Sequence, residues 1–197
     1  MAVVELPRTP PVKVAWTPVD MGTVLPGAPG GADQRINRLG NRWQVTVDIP
    51  PLTPTDALAW AAALALGVED GVAWRVWQTG TPTGSPGTVL VAGAGQAGRS
   101  LALDGFNPGY VLRWGMCLSI LTGSQRYLYR TAAPLRASAG GTGTAQLTNA
   151  LRVQPADNDP VEVAAPWIEG LLVDTPAWSI DPDRIARGFS FTVRETR

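Results

Sequence analysis

The chain has 197 residues, enough to bury a sizeable core as one domain or two small ones. Sixteen basic residues balance 16 acidic ones, which argues against a concentrated Lys/Arg footprint for nucleic acid, and the absence of histidine removes Ser-His-Asp and Cys-His chemistry. Only 16% of residues are charged, against 22 glycines and 18 prolines, a turn-rich composition that often hides its surface in an assembly.

The opening residues, MAVVELPRTPP, lack a charged region followed by an apolar one, so no signal peptide is expected. No apolar stretch approaches the roughly 20 residues of a spanning helix. The expectation is a soluble chain made in a cytoplasm, without membrane insertion. A single cysteine, Cys117, rules out an intrachain disulfide and lies in the apolar run LRWGMCLSI, where a buried structural thiol is the natural reading.

In chain order, residues 12–16 (VKVAW) read as a first strand. Residues 17–41, crowded with Gly and Pro, read as a long loop of the kind that is functional or ordered by a partner. Residues 42–49 (RWQVTVDI) and 72–78 (VAWRVWQ) alternate as half-buried strands. Between them, residues 53–67 (TPTDALAWAAALALG) predict the one helix: Thr53 caps it, Pro54 occupies its first turn, Asp56 suits the dipole, and Gly67 supplies the stop. Residues 79–87 (TGTPTGSPG) are a linker. Short apolar runs follow at 88–91, 100–103, 110–121, 125–131, 144–153 and 161–164, with turns at 140–143 and 157–160, a spacing that suggests a small closed or nearly closed β-barrel. Residues 166–197 return to longer alternation, with Phe189, Phe191 and Val193 on one face. The fold expected is mainly β: residues 1–86 and 166–197 form a helix-bearing domain into which the barrel of residues 87–165 is inserted.

Chemistry is sparse. Residues 89–98 (VLVAGAGQAG) spell a strand and G-x-G-x-x-G, but no helix and no acidic partner about 20 positions on follow, so a glycine-rich hairpin is preferred to a dinucleotide site. Asp157 with Asp159 and Asp181 with Asp183 are paired carboxylates beside prolines, better read as turns than as catalytic or calcium sites. Zinc lacks its usual ligand sets. Lys13 has no nucleophilic context. Arg113, Arg126, Arg130 and Arg136 read as a solvated face. Trp16, Trp43, Trp60, Trp74, Trp77, Trp167 and Trp178 read as core, a sugar-stacking platform being the alternative. No catalytic residue, cofactor or metal is assigned.

From residue 93 the sequence GAGQAGRSLALDGFNPGYVLRWG is similar to the G-A-G-Q-x-G-x-x-L-x-x-D-G stretch, leading into L-x-x-G, of tail-tip proteins of long-tailed bacteriophages. RYLYRTAAPLRASAGGTGTAQLTNALRVQPADNDPVEV continues the similarity, WSIDPDRIARGFSFTVRE resembles the family's W-S-x-D and F-S-F ending, and RLGNRWQVTVDIPPLTPTDALAWAAAL resembles its strand-to-helix opening. Family members usually carry Gly-Asp where this chain has Gly115-Met116, so that aspartate's role is not transferred, and residues 18–31 lie outside the resemblance.

The resemblance implies a distal-tail-type protein of the virion: a split-barrel or β-sandwich domain related to tail-tube proteins, carrying a small barrel of oligonucleotide/oligosaccharide-binding type. Such proteins form a ring, commonly of six copies, that joins the tail tube to the tip hub and lines the DNA channel. The implied partners are other copies of itself, the tube protein, the hub and other tip proteins, with the tape-measure protein a further candidate; no specific nucleic-acid binding is implied. Leu25, Arg35 and Arg38 in the long loop, and Pro82 and Pro86 in the linker, are the expected subunit contacts, because neither segment has a core of its own. The alternatives are a saccharide-binding module, for which Phe106, Tyr110, Trp114, Tyr127 and Tyr129 are available, and a neighbouring tube or minor tail protein.

Overall fold

The computed structural model describes residues 3–174, 176–181 and 185–196. Strands β1 Val4–Glu5, β2 Lys13–Val19, β3 Thr23–Leu25, β4 Gln34–Ile36 and β5 Arg42–Asp48 precede the helix α1, Pro54–Asp70, and β6 Val72–Arg75 follows it. The middle of the chain carries β7 Gly87–Val91, β8 Ser100–Phe106, β9 Val111–Leu112, β10 Cys117–Thr122, β11 Gln125–Arg130, β12 Leu135–Arg136, β13 Gly143–Gln146 and β14 Val161–Glu162. Then come β15 Trp167–Leu172, β16 Ser179–Ile180, β17 Ala186–Arg187 and β18 Ser190–Glu195. The fold is mainly β with one helix.

The largest sheet has the order β1-β6-β15-β18-β5-β2, antiparallel except for the β1–β6 pair. Its central strands alternate as their sequences require: Trp43, Val45 and Val47 of β5 and Phe191 and Val193 of β18 point into one core. The inner face of α1 covers that core with Ala57, Trp60 and Leu64, and Phe191 lies 5.7 Å from Trp60 and 6.1 Å from Trp74, centroid to centroid.

The helix begins as its sequence predicts. Thr53 has extended backbone and its hydroxyl accepts from the Asp56 N–H at 3.3 Å, with Pro54 at the first helical position. It ends elsewhere. The helix runs through Gly67 to Asp70, and Gly71, whose positive φ of 83° favours glycine, is the stop, its N–H donating to the Gly67 carbonyl at 3.0 Å. Gly67 is a contact glycine instead, because a methyl group there would collide with the buried Val72 side chain of β6.

Two more expectations are corrected. Residues 17–41 are not structureless: β2 continues to Val19, and β3 and β4 pair as an antiparallel hairpin. Residues 110–121 are two strands, because Gly115 (φ 72°) turns the chain between β9 and β10 and the Met116 sulfur accepts the Arg113 N–H.

Residues 89–163 bury a second hydrophobic cluster, centred on Leu101, Leu103, Leu112, Met116, Leu118, Ile120 and Tyr129. It is walled by the sheets β13-β8-β7, β11-β10-β14 and β12-β9. These are separate ladders, and none closes on itself. Isolated bridges join Leu90 to Pro160 and Thr131 to Leu147.

The two clusters meet along β10 and β11, whose Cys117 and Leu128 belong to the first cluster while their neighbours belong to the second. Glu195, at the end of β18, sits in this seam with 1% of its side chain exposed. One carboxylate oxygen accepts the Trp43 N–H of β5 at 2.8 Å. The other accepts the Leu128 N–H of β11 at 2.8 Å and pairs with the guanidinium of Arg152, which is 4% exposed. Arg152 also lies over the rings of Tyr127 and Tyr129, at 5.3 and 5.6 Å. Burial works against the charged form of Arg152, yet the Glu195 carboxylate holds its pKa above the ordinary value. Burial likewise raises the Glu195 carboxyl, and Arg152 and the two backbone N–H groups oppose that rise.

Breaking a buried pair from one side leaves the other charge without its counterion, at a cost of about 3–5 kcal/mol. Glu195→Ala is therefore expected to lower unfolding stability by about that amount in urea titration, and a loss under about 1 kcal/mol contradicts this role. Gly67→Ala gives an independent check. Helix propensity alone predicts a gain of up to about 1 kcal/mol, whereas the Val72 contact predicts a loss of about 1–3 kcal/mol by the same measurement.

Candidate assembly surfaces

The β3–β4 hairpin is an arm. Each of residues 23–39 is exposed, so the arm packs on neither hydrophobic cluster. Its internal bonds hold its shape: the Gly27 N–H donates to Asp33 at 3.1 Å, and at the base the Met21 N–H donates to the Asn41 side-chain oxygen at 2.8 Å. Asp20 accepts the Gly22 N–H at 3.0 Å and pairs with Arg35 at 2.5 Å, and these two contacts hold its carboxyl below the usual carboxylate range. Arg35 also donates to the Asn37 side-chain oxygen at 2.8 Å. Pairing of Thr23 with Ile36 and of Leu25 with Gln34 sets those four residues on one face, with Val24 and Arg35 on the other. Leu25 is 46% and Ile36 38% exposed.

The outer face of α1 is a second open surface. Leu58 (67%), Leu66 (59%) and Val68 (51%) are exposed, with the exposed Ala59, Ala62 and Ala65 between them. No charge interrupts the helix from Ala57 to Val68; Glu69 and Asp70 then stand at its C-terminus, with no basic residue in the last turn. Acids there oppose the helix dipole.

The five expected contact residues separate into two groups. Leu25, Arg35 and Arg38 lie together on or beside the arm, all exposed. Arg35, Arg38 and Leu39 face Arg99 and Ala150 across a cleft of about 570 Å³. In the linker, Pro82 is exposed but Pro86 is buried. The linker's premise does not hold, because its own chain orders it. The Tyr110 hydroxyl donates to the Thr83 carbonyl at 2.7 Å, the Asn107 side chain to the Ser85 carbonyl at 2.9 Å, and the Asn107 N–H to the Pro86 carbonyl at 2.7 Å.

The remaining motifs resolve as structure. The glycine-rich loop after β7 joins antiparallel β7 and β8, and Gln96 fills it: its amide donates to the carbonyls of Ala92, Gly93 and Ala102, and its oxygen accepts the Ala102 N–H. Asp157 accepts the Gly93 N–H at 2.7 Å, and Asp159 accepts from Ala156 and Thr122, each at 2.8 Å. Asp181 pairs with Arg187; Asp183 lies outside the described residues. Among the described residues no group of three or more His, Cys, Asp or Glu is placed to hold a metal. Among the described residues no helix is long and apolar enough to cross a membrane.

Two arginines read as solvated have a different place. Arg126 stacks over Trp167 at 5.1 Å and pairs with Glu162 at 3.3 Å, and Arg130 stacks over Trp16 at 4.7 Å and Trp43 at 5.3 Å, so both belong to the seam between the clusters. Arg113 and Arg136 are exposed. Among the aromatics of the saccharide reading, Phe106, Tyr127 and Tyr129 are buried and Tyr110 is half-buried; Trp114 is 72% exposed. Trp43, Trp60 and Trp74 are buried in the first core. Trp178, 39% exposed, stacks on Phe189.

Sequence reasoning passed over Gln78, which sits where the chain leaves the first cluster. It accepts the Cys117 N–H and donates to the Val163 carbonyl, each at 2.8 Å, and so bridges both ends of the middle segment. Its place after a strand, next to a linker, carries no signal that separates it from a surface glutamine.

No protein-family model matches this sequence, and comparison with curated proteins yields no match either.

Cys117 is 2% exposed, and burial pushes its thiol up to about 11, with Arg130 opposing the shift. A thiolate is the reactive form. At pH 8 the native thiol is expected to resist a thiol-specific chromophore and to react fully once the chain is unfolded. Rapid native-state reaction at pH 8 contradicts its position.

Proposed function

We propose that this chain is a structural protein of a phage tail tip, in which copies form a ring that joins the tail tube to the tip hub and surrounds the DNA channel. The observation that carries this reading is the arm. Seventeen consecutive exposed residues, 23–39, form an ordered hairpin that joins neither hydrophobic cluster of its own chain, and such a segment gains further packing from a neighbour. The open apolar face of α1 is a second surface suited to assembly.

In the finer reading, residues 1–86 and 166–197 make a tail-tube-like split barrel or sandwich, and residues 87–165 an inserted barrel of oligonucleotide/oligosaccharide-binding type. Two observations support it. The two hydrophobic clusters divide the chain near these boundaries. The sheet β13-β8-β7 reaches β14-β10-β11 through the Leu90–Pro160 bridge, and β11 returns to the end of β13 through the Thr131–Leu147 bridge. These two bridges bring the sheets together around the second cluster without closing them into one continuous barrel. Balanced charge suits a channel subunit, because a basic lumen would hold the phosphates of passing DNA.

The role is mechanical rather than catalytic, and its place is the virion tail tip, after synthesis in the host cytoplasm. Its partners are further copies, six to the ring as in the family that the sequence resembles.

 The other partners are the tail-tube protein, the hub, neighbouring tip proteins and the tape-measure protein. Leu25, Arg35 and Arg38 are the contact residues of this reading; buried Pro86 is not one, and Pro82 lies on a linker that its own chain already orders.

Deletion of residues 25–31 tests the proposal. Because the arm belongs to neither hydrophobic cluster, the shortened chain is expected to keep the parent's melting temperature to within a few degrees, while phage carrying it produce no complete tails. Normal tails from the deletion would overturn the proposal.

A further inference from the structure

We infer that the arm of one copy seats on the outer face of α1 of the next copy. This rests on the ring reading above and names the surface that receives the arm. Three observations point to it.

The first is placement. The arm springs from β2, the strand at one edge of the six-stranded sheet, whereas α1 packs over β15, β6 and β1 towards the opposite edge. Six strands at about 4.8 Å put those edges about 24 Å apart. An arm at one side and its receptor at the other make a head-to-tail contact, which generates rings when the rotation closes.

The second is the match of surfaces. The arm face with Leu25 and Ile36 presents two large apolar side chains on a narrow ribbon. The helix face presents Ala59, Ala62 and Ala65, whose small side chains allow close backbone approach, between Leu58 and Leu66. Each surface carries exposed apolar side chains that belong to neither hydrophobic cluster.

The third is charge in register. Arg38 at the base of the arm makes no ion pair among the described residues, and Glu69 and Asp70 crowd the negative end of the helix dipole without a cation. With Arg38 set against Asp70, Ile36 falls about 7 Å further along the arm and Leu66 about 6 Å along the helix. Gln34 and its partner Leu25 then fall at about 13 Å, and Ala62 at about 12 Å. The two elements keep step for their whole contact.

Disulfide trapping in the full-length chain tests this. Leu25→Cys with Ala62→Cys, both at exposed positions, is oxidised at high protein concentration and run on a denaturing gel without reductant; buried Cys117 stays out of the reaction. The expected result is a ladder of dimers, trimers and higher species that neither single variant gives, and its loss when Leu66→Glu is added while the circular dichroism spectrum stays unchanged. Light scattering on the uncrosslinked chain separates the failures. Oligomers without a ladder would overturn this seat for the arm and leave the ring reading standing. A chain that is monomeric at every concentration, with no ladder, would overturn the copy-to-copy contact and count against the ring as well.

Discussion

A carboxylate buried at a seam needs donors on both of its oxygens, and Glu195 has them from three separate parts of the chain. Trp43 on β5, Leu128 on β11 and Arg152 ahead of β14 all converge on it. The bonds fix the large sheet against the β10–β11 hairpin in one register, since a slide of either would leave an ion without its partner in a low-dielectric site. Hydrophobic contact alone does not set such a register, because apolar surfaces tolerate small displacements. Around this point the seam is filled by cations over aromatic faces, Arg130 on Trp16 and Trp43 and Arg126 on Trp167, and by the Gln78 bridge. The two clusters thus behave as one body with a polar, directional joint.

That rigidity gives the exposed elements their meaning. The arm leaves the sheet at Val19 and returns at Arg42, and its one ion pair among the described residues, Asp20 with Arg35, is half exposed and contributes little to stability in water. The arm is therefore held in direction by its base and in shape by its own ladder, but gains nothing from the core beneath. In the proposed assembly the outer face of α1 is its counterpart: apolar where an isolated protein would carry charge, and acidic where its dipole favours a cation. Both surfaces make physical sense in an assembly, where burial against another copy supplies what the single chain lacks.

Local rules were enough for some elements and insufficient for others. The start of α1 was legible because Thr53, Pro54 and Asp56 act within one turn, and β5 and β18 because their alternation runs for six or seven residues. The end of α1 was not, since Gly67 and Gly71 both qualify as stops and the choice depends on Val72 packing from a different element. The arm's strands, three residues each, are too short for alternation to register. Glu195 continues the buried face of Phe191 and Val193, yet a charge near the end of a sequence reads as surface, and nothing in its spacing announces an arginine 43 residues earlier. Of the proposed assembly surfaces, the long segment holding Leu25, Arg35 and Arg38 stands out by composition, whereas a helix apolar on every side does not reveal which face stays open. Pro86 was misplaced for the converse reason: a Gly/Pro-rich linker looks unsupported until Asn107 and Tyr110 are seen to hold it.

The central claim is one of place, and immunogold labelling of intact phage particles with antibody raised against this chain tests it most directly. The account predicts label confined to the tip end of the tail. Label along the whole tail would make the chain a tube subunit, and particles without label would contradict a structural role in the virion.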